Sequence, residues 1–147
     1  MLIDTNILAR TLQLRHPQYG MVTPVFEILT RKGHELHVVP QNLFELWVAA
    51  TRPIEQNGLG LTPAAAAREL ARIRSIFEFV PDSAAVYPIW EDLVIQYNVS
   101  GKPAHDARLV AAMRANGLHS ILTFDARFSR YVGIKAANPT DIISSAV

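Results

Sequence analysis

Short apolar runs of strand length recur along this chain, each followed by a longer amphipathic stretch, and that alternation most narrows the folds open to it. "MLID", "ELHVVP", "FEFV", "HSILTF" and "IKAANP" are the short runs. The stretches between them have helical periodicity, so the rhythm predicts an α/β domain built on a parallel sheet. "MLID" reads as the first strand, with Thr5 or Asn6 opening the helix after it. "VTPVFEILTRKG" carries Val22, Val25, Phe26 and Leu29 on one helical stripe and ends at Gly33, as a helix C-terminus does. In "QNLFELWVAATRP", Asn42 is placed as an N-cap and Pro53 as a terminator, which predicts a helix of about three turns with Glu45 in its first turn. Thr62 and Pro63 form a cap and first helical position for "AAAARELARIRSIF". "SAAVYPIWEDLVIQYN" is helical with Pro88 near its start, and "AHDARLVAAMRANG" is helical with Pro103 near its first turn and Gly117 at its end. "TRPIEQNGLGLTP" reads as a loop long enough to be mobile.

With 147 residues, half of them hydrophobic, the chain suits one domain with a single core. It has no cysteine, which excludes disulfides and thiolate zinc sites and makes a cytoplasmic location the default expectation. Residues 1 to 9 are largely apolar but contain Asp4 and Asn6 and lack a basic leader, so they do not read as a signal peptide. No apolar stretch approaches membrane-spanning length. The formal net charge of +1 argues against a generally basic nucleic-acid coat and leaves room for a local basic patch around an acidic centre.

Four acids sort by position. Asp4 ends the first strand, Glu45 and Asp106 lie in first helical turns, and Asp125 follows "SILTF". In a parallel sheet Asp4 and Asp125 both fall at carboxyl ends, the edge where open α/β sheets place their sites, and helices starting from that edge bring Glu45 and Asp106 to it. Asp106 also shares a helical face with Val110, Met113 and Gly117, which aims it along an apolar stripe toward the sheet. Each acid has an ordinary structural explanation too. The helix macrodipole is sufficient reason for Glu45 or Asp106 taken singly, Asp4 can cap the first helix, and Asp125 can open a turn. Those explanations leave over the setting of Glu45 in "LFELWVAA" and of Asp4 directly after "MLI". A carboxylate at the core edge is costly unless a cation or hydrogen bonds compensate it, and several together repel. A divalent cation resolves both problems.

"LIDTNIL" from Leu2, Glu45 in "QNLFELW", "HDARLVAAMRANG" from His105 and "ILTFDARFSRYVGIKAANP" from Ile121 together resemble a PIN domain, specifically the VapC-like ribonuclease toxins of bacterial toxin-antitoxin pairs. The resemblance runs from Met1 to about Pro139 and keeps motif order and spacing. It implies one PIN domain over residues 1 to 147, a three-layer α/β/α fold with a central parallel sheet. It also implies a catalytic quartet of Asp4, Glu45, Asp106 and Asp125 supported by Thr5, Asn6 and Thr123. By the same resemblance Asp4, Asp106 and Asp125 are direct or water-bridged metal ligands, while Glu45 shares in binding or orients the attacking water. The implied activity is an Mg2+- or Mn2+-dependent endoribonuclease, with one or two ions left open; both are hard cations suited to carboxylate and water oxygens. The implied partners are RNA, a cognate VapB-like antitoxin whose C-terminal segment enters the groove, and a second copy in a homodimer, with no membrane.

Lys102, Arg108, Arg127 and Arg130 lie close in sequence to the acids, where they can contact RNA phosphates, although an isolated arginine is more often a solvated surface residue. Trp47 and Trp90 read as core or interface anchors, His105 as a bystander, and Phe128 as the residue that pins the loop after Asp125. The segment from Thr51 to Pro63 and the alanine-rich helix after it are candidates for the groove wall. Two other readings remain beside the nuclease. A non-catalytic RNA-binding PIN module would be expected to have lost quartet members, and a phosphatase using Asp4 as nucleophile would want an acid where Asn6 stands.

Overall fold

In the computed structural model, which describes residues 1–146, each short apolar run becomes a strand; Leu2–Ile3 and Ser120–Leu122 at the centre of the sheet are largely buried, while the outer strands carry exposed residues such as Glu78 and Lys135. The order is β1 (Leu2–Ile3), α1 (Thr5–Arg10), α2 (Tyr19–Arg31), β2 (His37–Val38), α3 (Pro40–Thr51), α4 (Pro63–Ile76), β3 (Glu78–Phe79), α5 (Val86–Gln96), α6 (Pro103–Ala115), β4 (Ser120–Leu122), β5 (Lys135–Ala137) and α7 (Pro139–Ala146). All the strand pairings are parallel, and the sheet order is β3-β2-β1-β4-β5. Successive strand residues point to opposite layers. Leu2 and Ile121 enter a core with α5 and α6, while Ile3 and Leu122 enter a second core with α1 to α4, against which Ile142 and Ile143 of α7 also pack. Helices on both faces are why these strands read as continuous apolar runs rather than alternating ones. The expected three-layer α/β/α arrangement is the observed one. Among the described residues no helix is long and apolar enough to cross a membrane.

Several boundaries differ from the sequence reading, and one of them bears on the site. Asn42 is not the N-cap of α3. The helix begins earlier, at Pro40, where a missing N–H leaves nothing unsatisfied. Val39 takes the cap position with no side-chain oxygen to offer, so Asn42 reaches back and its Oδ1 accepts from the Val39 N–H at 2.9 Å. Glu45 therefore lies in the second turn, and α3 has no acid in its first. The macrodipole does not account for Glu45. At the other end, Arg52 is already extended, at ψ 141°, as a residue before proline prefers to be.

The segment read as a mobile loop is stitched to α3. The N–H groups of Leu59 and Leu61 donate to the carbonyls of Ala49 and Ala50 at 3.0 and 2.8 Å. Gly58 packs so closely that a Cβ there would overlap the Arg52 carbonyl, so this turn has room only for glycine. Helix α7 was not anticipated, although "NPTDII" carries a start signal. Pro139 opens the helix and the Asn138 side chain accepts from the Thr140 N–H at 2.9 Å.

Candidate active site

The strand order makes β1 and β4 neighbours that hand the chain off in opposite directions, β1 toward β2 and β4 toward β5. Such a switch point opens a crevice beyond the strands' carboxyl ends. Asp4 follows β1 and Asp125 lies just beyond β4. The Asp4 N–H donates to the Leu122 carbonyl at 3.0 Å, so the ladder itself sets where Asp4 stands.

Asp4 is 7% exposed. It caps α1, its Oδ1 accepting from the Thr5 N–H and its Oδ2 from the Thr123 hydroxyl, both at 2.7 Å. Burial nevertheless dominates and pushes its pKa up to about 6; the bonds from Thr123 and Thr5 oppose that rise, and the charges of Glu45 and Asp106 add to it. Asp106, in the first turn of α6, is also raised, by burial first and then by Asp125, with Glu45 adding to the rise and Arg127 and His105 opposing it. Asp125 is lowered, chiefly by its hydrogen bonds from the Arg127 side chain. Thus Asp4 feels Glu45 and Asp106, and Asp106 feels Glu45 and Asp125, although the four come from separate stretches of chain.

Buried polar side chains hold this arrangement. The Thr5 hydroxyl donates to Glu45 at 2.9 Å and accepts from the Asn42 amide at 3.3 Å. Gln41 donates to Glu45 and to the His105 carbonyl, both at 2.7 Å, and accepts from Arg108 at 3.0 Å, which ties α3 to α6. Thr123 accepts from the Asp125 N–H at 2.9 Å and from the Asn6 amide at 3.3 Å. Because Thr123 spends its proton on Asp4, Asn6 must present its amide nitrogen to Thr123. That leaves the Asn6 Oδ1 buried and without a partner among the described residues. Thr5, Asn6 and Thr123 thus lie in one hydrogen-bonded network with Asp4 and Glu45. Gln41 and the site role of Asn42 were missed, and the signal for Gln41 was its spacing of four residues from Glu45 on a helix.

Asn42 is fully buried. Asn42→Ala would orphan the Val39 N–H and remove a donor from Thr5, and it is expected to cost about 2–4 kcal/mol of stability in a denaturant titration. A loss under 0.5 kcal/mol would show that water or a backbone shift replaces both bonds.

The basic residues are mostly engaged inside the molecule. Arg127 is paired with Asp125, and Arg108 bridges Gln41 and Asp82, the latter at 2.9 Å. Arg130 donates to the Tyr97 carbonyl and lies over the rings of Tyr97 and Tyr131. Lys102 is exposed just before α6 and pairs with no acid among the described residues. Phe128 is buried, and Trp90 anchors α5 to α6 through an indole N–H bond to the Ala104 carbonyl at 2.8 Å. His105 and Arg52 line a groove of about 660 Å³ with Glu45, Gln41 and the exposed apolar side chains of Phe44 and Val48.

Among the described residues, no three His, Asp or Glu side chains form a ready-made metal cage. Each acid except Asp106 has turned to an internal donor: Asp4 to Thr5 and Thr123, Glu45 to Thr5 and Gln41, Asp125 to Arg127. The chemistry of the donor set still suits a hard divalent cation. Its atoms are oxygens, two acids have raised pKa values from crowding and burial, and the unpartnered Asn6 oxygen adds a further acceptor.

The PIN domain family profile matches residues 1–134. No curated protein matches the sequence. Among solved structures, VapBC2 from Rickettsia felis, bound to a DNA fragment from its promoter, is similar at 18% identity with a TM-score of 0.69, covering 93% of this chain and 96% of that one. VapC20 from Mycobacterium tuberculosis, a Sarcin-Ricin loop cleaving toxin, is 18% identical with a TM-score of 0.66, covering 90% and 97%. DNA-bound VapBC from Salmonella typhimurium is 20% identical with a TM-score of 0.62, covering 94% and 96%. At these identities the likeness concerns the fold, and the family match spans most of the chain: the protein belongs to the PIN domain family.

Proposed function

We propose that this PIN domain is a divalent-metal-dependent endoribonuclease and the toxin of a toxin-antitoxin pair. The observation that carries the reading is the meeting of Asp4, Glu45, Asp106 and Asp125 at the β1/β4 switch point, close enough for Asp106 to shift with both Glu45 and Asp125. Asp4, Asp106 and Asp125 would hold the ion. A bound divalent cation supplies polarisation of the scissile phosphate and acidification of the attacking water. Glu45, held by Thr5 and Gln41, is placed to share the ion or to accept the water's proton. Thr123 and Thr5 fix Asp4, and the buried Asn6 oxygen beside them is an acceptor without a protein partner among the described residues.

The similar structures include a toxin that cleaves an RNA loop and toxin-antitoxin complexes on DNA, which supports RNA as substrate and an antitoxin as partner. The groove beside Glu45, with Phe44 and Val48 exposed along it, suits the C-terminal segment of such an antitoxin. A homodimer is part of the same reading. A phosphatase reading is poorly served, because the residue two places on from Asp4 is Asn6 where a second acid would be wanted.

Purified protein incubated with total RNA and Mg2+ or Mn2+ is expected to give discrete fragments that vanish in EDTA. RNA that is bound but uncut with either metal would favour a non-catalytic RNA-binding module.

A further inference from the structure

We propose that Arg127 is a built-in competitor for the cation at this crevice, so that a divalent ion gains Asp125 as a ligand only by displacing the Arg127 guanidinium. The inference rests on the reading of Asp125 as a metal ligand.

Both Asp125 oxygens accept from this one side chain. Arg127 Nε lies 3.0 Å from Oδ1 and 3.0 Å from Oδ2, and Nη2 lies 2.7 Å from Oδ2. A forked guanidinium of this kind occupies the oxygens a metal would use. The two partners are not equally free. The Asp125 side chain is 24% exposed and follows β4, with its backbone N–H tied to Thr123, whereas the Arg127 side chain is 77% exposed. When the pair opens, the arginine is the partner that leaves.

An ordinary surface ion pair would involve only its two members, and this one involves a third. Asp106 lines one small cavity with Arg127, so the guanidinium stands beside a second acid as well as Asp125. The guanidinium thus moderates the repulsion between two acids that come from different elements, a task a divalent cation would otherwise perform. Folding does not need the fork. The Arg127 backbone N–H donates separately to Asp125 Oδ1 at 2.9 Å, so the 3₁₀ turn Ala126–Arg130 keeps its cap whatever the side chain does. The sequence placed Arg127 near the acids as a phosphate contact. The tertiary arrangement gives it an earlier task, and the ion's arrival would release it toward the crevice mouth.

The test is Mn2+ binding by isothermal titration calorimetry at fixed ionic strength, on the full chain free of any antitoxin and with no RNA present. Arg127→Gln is expected to bind Mn2+ about two- to fivefold more tightly than the natural chain, a range set by the modest strength of exposed ion pairs. Arg127→Lys keeps the charge and loses the fork, so it should fall between the two. In an Asp125→Asn background the Arg127→Gln change should have a clearly smaller effect on affinity than in the natural chain, because only its charge near Asp106 is then removed and no fork is released. If Asp125→Asn weakens Mn2+ binding and Arg127→Gln leaves the natural chain's affinity unchanged or lower, the competition is refuted while the metal site stands. If Asp125→Asn binds Mn2+ as tightly as the natural chain, Asp125 is no ligand and the proposal fails with that assignment.

Discussion

Asp4→Asn is expected to reduce RNA cleavage by roughly 10³-fold or more while the protein stays folded. Asp4 is the most buried of the four acids and is repelled by both Glu45 and Asp106. An amide matches the carboxylate in size and lacks the charge a divalent cation requires. Its local cost is calculable from the hydrogen bonds. Thr123 already accepts from Asn6 and Asp125, so it has no lone pair left for an amide N–H, and the Thr5 N–H is a donor as well. Whichever way the new amide turns, one buried bond is lost, at about 1–3 kcal/mol. Removing a desolvated charge offsets most of that loss. The variant should therefore show an unchanged circular dichroism spectrum and a melting temperature close to that of the natural chain. Metal-dependent cleavage at more than a tenth of the natural rate would remove Asp4 from the catalytic set.

The second large effect is on the pH dependence of stability. Asp4 goes from an ordinary carboxyl value of 3.8 to about 6 in the folded protein, so the native state holds its proton more tightly than the unfolded chain does. Its stabilising contribution is therefore greatest below pH 3.8 and is lost as pH rises toward 6, with little further change above that. Between pH 4.5 and 7.5 this amounts to roughly 2 kcal/mol, at 1.36 kcal/mol per pKa unit. Asp106 acts in the same direction and Asp125, whose pKa is lowered, in the opposite one, so the natural chain's curve is a sum. The difference between the natural chain and Asp4→Asn isolates Asp4. Urea titrations without divalent metal should show Asp4→Asn gaining on the natural chain by roughly 2 kcal/mol across that interval. Parallel curves would mean that Asp4 titrates as an ordinary exposed carboxyl and is not buried among like charges.

Much of this is legible in the sequence. Strand and helix identity followed from local apolar patterning, most clearly at the central strands β1 and β4, which are covered on both faces. Asp4 directly follows β1, while β4 ends at Leu122 and leaves Asp125 three residues beyond it. Thr62, Pro63 and Pro103 acted as the helix starts they resemble. Other features were out of reach. Val39 lacks a capping oxygen and Pro40 needs no donor partner, so α3 began two residues before Asn42, and only then did Glu45 cease to be a first-turn acid.

The sequence by itself determined the α/β rhythm, the four acids and their positions along the chain, since these depend on neighbours a few residues apart. The strand order, which makes β1 and β4 adjacent, was decided by pairing between residues more than a hundred positions apart, as was the bond from Thr123 to Asp4. Tertiary structure also decided which acids are held by protein donors. Whether an arginine faces solvent, a phosphate or a neighbouring carboxylate depends on side-chain geometry at the finished crevice. Arg127 and Asp125 stand two residues apart in the sequence, yet only the folded chain brings Asp106 within reach of their pair.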